Sequence, residues 1–309
     1  DILRNGFEQR VIPLRNDYQG YAVATLIRKK AQQNSAKAVF YLHGFNDYFF
    51  QTEMADRFNS RGYNFYAVDL RKYGRSYLPH QKFNDIRNLK AYYEEILASL
   101  TIIRTEGNAE TILLGHSTGG LILTLFAKDH PDSDLYDGLM LNSPFFDFNL
   151  SPLTKKLLPI VSFIGKFIPN ITVSGGFSEK YGESIHKDYF GEWNYNLKWK
   201  PNVPPKVNLG WIRAVKKAQN QLKRSFHILK PVLIMHSGKS VIDINDQQQV
   251  TSGDAILNVN DIKRIARNIK GSTETVAIDG GLHDLILSQK QAREEVYAAM
   301  FSWLSKNKL

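Results

Sequence analysis

The chain has 309 residues, 43% of them hydrophobic and 23% charged, an ordinary balance for a globular protein with a sizeable core. Forty Lys and Arg against thirty Asp and Glu leave a formal charge of +10. Cysteine is absent, which excludes disulfides, thiolate catalysis and Cys-ligated zinc. The length admits two domains or one large α/β domain with an insertion, and no internal repeat is visible. The most apolar run, residues 157–168, is broken by Pro159, Gly165 and Lys166 and is too short to span a bilayer. The chain begins at Asp1 without Met, which leaves room for a preceding segment or a removed targeting peptide. The lack of cysteine fits a cytoplasmic bacterial protein.

In chain order, residues 10–14 and 21–27 read as an antiparallel pair around a turn at 15–20. Residues 38–42 form a continuous apolar strand, expected to be covered on both faces, that runs into His43-Gly44-Phe45-Asn46-Asp47. A helix over 52–61, a strand over 63–70, the loop Arg71-Lys72-Tyr73-Gly74-Arg75-Ser76 and a long amphipathic helix over 88–106 follow. Next come a strand at 111–114, the turn Gly115-His116-Ser117-Thr118-Gly119-Gly120, a buried helix at 121–127 and a strand at 138–141. This alternation predicts a parallel sheet with helices on both faces. It breaks down between about 145 and 210, where bulky apolar and aromatic residues mix with Pro201, Pro204 and Pro205. The break reads as a cap lying over the strand ends and closed by a helix at 209–226. The division is therefore a core of residues 1–144 and 227–309, with 145–226 as the cap insertion. A strand at 231–235, a helix at 261–269, a strand at 274–278 and a helix at 291–304 complete the chain.

Ser117, with Gly115 and Gly119 at minus two and plus two, stands between a strand and a helix. A turn this sharp leaves no room for a Cβ at either flank and lifts the hydroxyl clear of the sheet, where it can act as a nucleophile. His283, in Gly281-Leu282-His283-Asp284 after the last strand, is the candidate base, because strand order brings it to the same sheet edge. The acid should lie between them in the chain. Its usual turn after the 231–235 strand carries Ser240 instead. Of the nearby carboxylates Asp243, Asp246, Asp254 and Asp261, the choice is Asp254, in a loop that opens a short apolar run, with Asp243 second. The remaining histidines show no paired metal-ligand spacing, so neither a metal nor another cofactor is expected.

Together the His-Gly-Phe turn, the Tyr-Gly-Arg-Ser loop, the Gly-His-Ser-Thr-Gly elbow and the Gly-Gly-Leu-His-Asp-Leu segment resemble the α/β-hydrolase superfamily. More narrowly, the chain looks like its serine aminopeptidase and monoacylglycerol lipase branch, whose bacterial members are often called lysophospholipase-like. The resemblance runs from about residue 8 to 305. It implies an α/β-hydrolase fold, a mostly parallel central sheet flanked by helices, with a helical cap. It also implies an oxyanion hole formed by the backbone N–H groups of Phe45 and Thr118. The expected activity is hydrolysis of a carboxylic ester (a monoacylglycerol, lysophospholipid or similar acyl ester) through an acyl-enzyme on Ser117. A peptidase or amidase on the same triad, or a non-catalytic binding protein on this fold, are the alternatives.

Between residues 151 and 230 there are fourteen Lys and Arg against Glu179, Glu183, Asp188 and Glu192, so the whole excess of charge falls in this stretch, most of it in the cap. Arg213, Lys216, Lys217, Lys223 and Arg224 fall mostly opposite the apolar face of the 209–226 helix. A solvated face accounts for them; the sharper expectation is an anionic lipid surface. Leu157, Val161, Ile164 and Phe167 are the expected lining of an acyl pocket. No nucleic-acid motif accompanies the charge, and nothing in the pattern fixes an oligomeric state.

Overall fold

The computed structural model describes residues 3–309, so the first two residues of the expected core lie outside it. Strands β1 (Glu8–Asp17) and β2 (Gly20–Lys29) pair antiparallel, and Gly20, at φ 94°, closes the turn between them in a conformation that side chains disfavour. The sheet continues with β3 (Lys37–Leu42), β4 (Asn64–Asp69), β5 (Glu110–His116), β6 (Gly138–Asn142), β7 (Val232–Ser237) and β8 (Thr273–Ile278). Its order is β1-β2-β4-β3-β5-β6-β7-β8, and from β4 onward every pairing is parallel.

The helices are α1 (Thr52–Asn59), α2 (Tyr93–Thr105), α3 (Thr118–Asp129), α4 (Pro152–Ile164), α5 (Glu179–Ile185), α6 (Leu209–Asn220), α7 (Gln247–Val250), α8 (Val259–Ala266) and α9 (Lys290–Asn307). Strand alternation sorts the central side chains into two cores. Phe40, Leu42 and Leu113 join α2, α3 and α6 on one face, while Val39, Tyr41, Ile112 and Leu114 join α1 and α9 on the other. This is why these strands read as unbroken apolar runs. Among the described residues no helix is long and apolar enough to cross a membrane.

Register aligns the carboxyl ends of the strands. Leu42 pairs with Gly115, His116 with Asn142, Asn142 with Met235, and Ser237 with Ile278. The loops that follow β3, β5, β7 and β8 therefore meet at one edge, where open α/β sheets place their ligands.

Residues 145–226 supply α4, α5, α6 and a two-residue pairing of Thr172–Val173 with Val207–Asn208, but no strand of the main sheet. Several element bounds differ from expectation: the first strand runs on to Asp17, and the helix expected over 261–269 spans Val259–Ala266. The helix expected over 209–226 stops at Asn220, and Phe226–His227 instead pairs with Ile269–Lys270. Leu222 and Phe226 are still buried, so the apolar pattern is satisfied without the helix continuing. The helix expected from 88 starts as a 3-10 turn, Leu89–Tyr92, with Asn88 Oδ1 accepting the Lys90 N–H.

Candidate active site

At the elbow, β5 ends at His116 and α3 begins at Thr118, so Ser117 alone makes the turn, at φ 52° and ψ −115°. A non-glycine residue at that φ is strained and has to be held by its surroundings. Its N–H donates to Asn142 O at 3.0 Å, and its carbonyl accepts from Leu121 N at 3.1 Å and Phe145 N at 3.0 Å. The flanking glycines are required sterically. A Cβ at Gly115 would stand 2.9 Å from Gly119 and Gly120 backbone atoms, and one at Gly119 would overlap the carbonyl oxygens of Leu42 and His43.

His283 sits in the loop after β8, where the Leu282 N–H donates to Ser288 Oγ at 2.8 Å. Ser117 Oγ lies 2.9 Å from His283 Nε2, and His283 Nδ1 lies 3.0 Å from Asp254 Oδ2. A carboxylate can only accept, so Nδ1 carries the proton and Nε2 turns its lone pair to the serine hydroxyl. All three side chains are buried. The other Asp254 oxygen accepts from the N–H groups of Ile256 at 2.9 Å and Leu257 at 2.7 Å.

Asp254 arrives by an excursion. Residues 241–253 leave the turn after β7 and return, so that Asp254 bridges to Ser240, with Asp254 N–H on Lys239 O at 2.9 Å and Val241 N–H on Asp254 O at 2.9 Å. Ser240 Oγ accepts from Val259 N at 2.9 Å. Asp243 is exposed, and its carboxylate accepts from Asn245 N within its own turn.

Phe45 and Thr118 both line the cleft above Ser117. Thr118 opens α3, and first-turn N–H groups have no partner within the helix. The Phe45 turn is held by His43, whose Nδ1 is 2.7 Å from Gly44 O and whose Nε2 accepts from Leu70 N at 3.1 Å. Burial holds His43 below the usual histidine range, in keeping with a neutral ring that both donates and accepts.

A second buried cluster lies beside the triad. Lys200, from the segment before α6, places Nζ 2.9 Å from Asp47 Oδ1, and His116 Nδ1 is 3.6 Å from Asp47 Oδ2 and 3.8 Å from Asp284 Oδ2. Burial pushes the Asp47 carboxyl up, but Lys200 and His116 outweigh it and hold the group well below the usual carboxylate range. Asp47, His116 and Asp284 are the one donor set among the described residues close enough to share a metal ion, within 4.8 Å, and the Lys200 ammonium already supplies a positive charge there. The Tyr181 ring meets His283 edge-on at 5.6 Å, and its hydroxyl accepts the Asp284 N–H at 3.0 Å. Burial, with Asp284 and Asp47 adding to it, holds that phenol protonated.

The cleft opens to solvent, and the free space within it and at its mouth comes to about 640 Å³. Phe45, Phe145, Phe177 and Ile256 give it apolar walls, and Asn46, Lys200 and Asn202 give it a polar side. The structure does not bring the four expected acyl-pocket residues to it. Leu157, Ile164 and Phe167 are exposed, and Val161 is half-buried against the core. The reason is that α4 turns Leu158, Ser162 and Gly165 inward, with Gly165 so close to Leu209 O that a Cβ would overlap it. Tyr181 and Lys200 carry no signal in the sequence. Asp47 and Asp284 do, standing inside the motifs around Gly44 and His283.

The family described as serine aminopeptidase, S33, matches residues 33–290. The chain belongs to that family. Over its full length this S33-family chain, an α/β hydrolase, superposes on a soluble variant of monoglyceride lipase from Saccharomyces cerevisiae with a TM-score of 0.68 and 17% identity, covering 99% of this chain and 98% of that one. A monoacylglycerol lipase from Paleococcus ferrophilus gives 0.67 and 18% identity, over 91% and 99% of the two chains. At such identities the likeness establishes the fold. Mouse epoxide hydrolase 4 is 35% identical over 92 residues, a match that spans 29% of this chain and 24% of that relative's length.

Proposed function

We propose that this hydrolase cleaves carboxylic esters through an acyl-enzyme on Ser117. The observation that carries the reading is the unbroken relay Ser117 Oγ–His283 Nε2 at 2.9 Å and His283 Nδ1–Asp254 Oδ2 at 3.0 Å. A serine hydroxyl is a weak nucleophile until a base removes its proton, and His283 is in hydrogen-bond contact to do so. Asp254 fixes the tautomer and stabilises the imidazolium that forms. The N–H groups of Phe45 and Thr118 receive the negative charge of the tetrahedral intermediate, each donor contributing about a hundredfold to a thousandfold in turnover. His283 then gives its proton to the departing alcohol. Water, deprotonated by the same ring, attacks the acyl-enzyme and releases the carboxylic acid.

The apolar walls at Phe45, Phe145, Phe177 and Ile256 suit an acyl chain, and the polar side at Asn46 and Asn202 suits a hydroxylated alcohol. Monoglyceride lipases among the structural neighbours favour the same substrate class. Residues 145–226 act as a cap over the site. A fluorophosphonate probe should label Ser117 in the native protein, and Ser117→Ala should abolish both labelling and p-nitrophenyl ester hydrolysis while keeping the fold. Ester turnover at the wild-type rate by folded Ser117→Ala would refute the proposal. The family's description favours a second reading, aminopeptidase, which a matched panel of aminoacyl-naphthylamides separates from the first.

A further inference from the structure

The loop after β3 presses against the nucleophile elbow. A Cβ at Gly44 would stand 3.0 Å from Ser117 Cβ and 3.2 Å from His116 Nδ1, so the next residue, Phe45, is delivered at close quarters to the serine. From there the loop is fastened to the cap residue by residue. The Phe45 ring lies 4.7 Å from Trp211 and 6.0 Å from Phe177. Asn46 Nδ2 donates to Pro201 O at 2.9 Å, and the Lys200 ammonium donates to Asp47 Oδ1 at 2.9 Å. The Asn196 N–H donates to the Tyr48 hydroxyl oxygen at 2.7 Å, and the Trp199 ring meets Tyr48 edge-on at 5.2 Å. Asn46 holds φ 53°, a conformation uncommon outside glycine and kept only where neighbours enforce it.

The cap segment that makes these contacts is itself a fixed piece. Asn196 O accepts from Trp199 N at 3.0 Å and Lys200 N at 2.9 Å, and the turn so formed carries a buried lysine. Tyr48 and Phe50 from the β3 loop, Ile185 and Tyr195 from the cap, and Leu282 and Leu287 from around His283 form one apolar cluster. Just before the turn, Trp193 Nε1 donates to Leu287 O at 2.9 Å. Three loops that meet at the cleft therefore share a small core of their own.

A buried ion pair such as Lys200 with Asp47 adds little stability over an apolar pair of the same shape. Its particular contribution is one defined distance between two segments. Resting on the serine-hydrolase reading, we infer that residues 193–202 of the cap are scaffold for the oxyanion hole, with Lys200 and Tyr48 as positioning residues that hold the Phe45 N–H where negative charge develops. On this account the cap does not lift away as one piece, because moving residues 196–202 would draw that amide off the elbow.

Two variants test it. Lys200→Met with Asp47→Asn removes the ion pair without changing net charge, and Tyr48→Phe takes the acceptor from the Asn196 N–H but keeps the ring. The readouts are the second-order rate of fluorophosphonate labelling at Ser117 and, for p-nitrophenyl butyrate, kcat and KM across pH. A misplaced oxyanion donor should slow labelling and lower kcat by about tenfold to a hundredfold in the double variant. Tyr48→Phe should lose about threefold to tenfold in both. KM should stay within about twofold, and the pH profile should keep its wild-type midpoint. Urea unfolding shows whether each variant is folded. Folded variants with labelling and kcat within about twofold of wild type would overturn the inference. So would a loss carried by KM alone, which gives the pair to substrate binding, or a shifted pH midpoint that accounts for the loss, which gives it to tuning of His283. If the double variant does not fold, Tyr48→Phe decides by the same criteria. Wild-type protein that labels but cleaves no ester refutes the ester reading and leaves this one standing, whereas wild-type protein that does not label refutes both.

Discussion

Replacing Asp254 with Asn changes one atom of the proposed relay, and the local hydrogen bonds fix its consequence. Asp254 Oδ1 accepts two backbone N–H groups, from Ile256 at 2.9 Å and Leu257 at 2.7 Å. An amide at this position must keep its oxygen on that side, because two buried donors would otherwise lose their acceptor. Its NH2 then faces His283 Nδ1, which can meet it only by accepting. The ring proton moves to Nε2 and points at Ser117 Oγ, so the base has lost the lone pair it needs. A wrong-tautomer triad of this kind loses about 10⁴-fold in kcat, about 5.5 kcal/mol of transition-state stabilisation. Steady-state hydrolysis of p-nitrophenyl butyrate, with circular dichroism to check folding, measures it. KM should move little, since Asp254 does not line the cleft. The exposed Asp243→Asn should stay within about twofold of wild type. A folded Asp254→Asn enzyme that keeps more than about a tenth of wild-type kcat would refute the reasoning.

Gly119→Ala should destabilise the protein by about 2–3 kcal/mol in urea unfolding and abolish fluorophosphonate labelling, since the new methyl meets the rigid carbonyls of Leu42 and His43. Lys200→Met should cost about 3–5 kcal/mol by leaving the Asp47 charge buried and unpaired, and Lys200→Met with Asp47→Asn should recover much of it, as urea midpoints would show. His43 is held neutral below the ordinary histidine range, so the unfolded chain takes up a proton that the native state refuses. Its contribution to stability is complete above about pH 6.5 and is lost as pH falls toward the folded pKa, with a slope approaching about 1.4 kcal/mol per pH unit. Unfolding free energies from pH 7.5 to 5.0 should therefore fall more steeply in wild type than in His43→Asn, and equal slopes would refute the assignment.

The parts of the fold that depend on local pattern are legible in the sequence. Val39 and Phe40 belong to opposite cores, and a strand buried on both faces has to be apolar throughout. The elbow is legible for a similar reason, because Gly115 and Gly119 answer a steric demand made within a few residues. The acid is harder to read. Asp254 lies fourteen positions past Ser240 and reaches its place only because the intervening segment folds back on itself. Position along the chain ranks Asp254 and Asp243 almost equally, and burial separates them. The α4 residues mark the opposite limit. Leu157, Ile164 and Phe167 are apolar enough to line a pocket, and what turns them outward is the packing of Gly165 against Leu209. Lys200 looks like any other lysine of a basic cap until Asp47 stands opposite it.

The returning segment between Val241 and Gly253 also bears on how the protein can be altered. Both of its ends are clamped by main-chain bonds at Lys239, Val241 and Asp254, while its tip, the turn at Asp243–Asp246, carries Asn245 into solvent. Extra residues at that tip would add only a slowly growing closure entropy and would leave the clamps unchanged. A fluorophore, an affinity peptide or a whole reporter domain could thus be spliced in here, close along the chain to the carboxylate proposed to orient the base, without moving it.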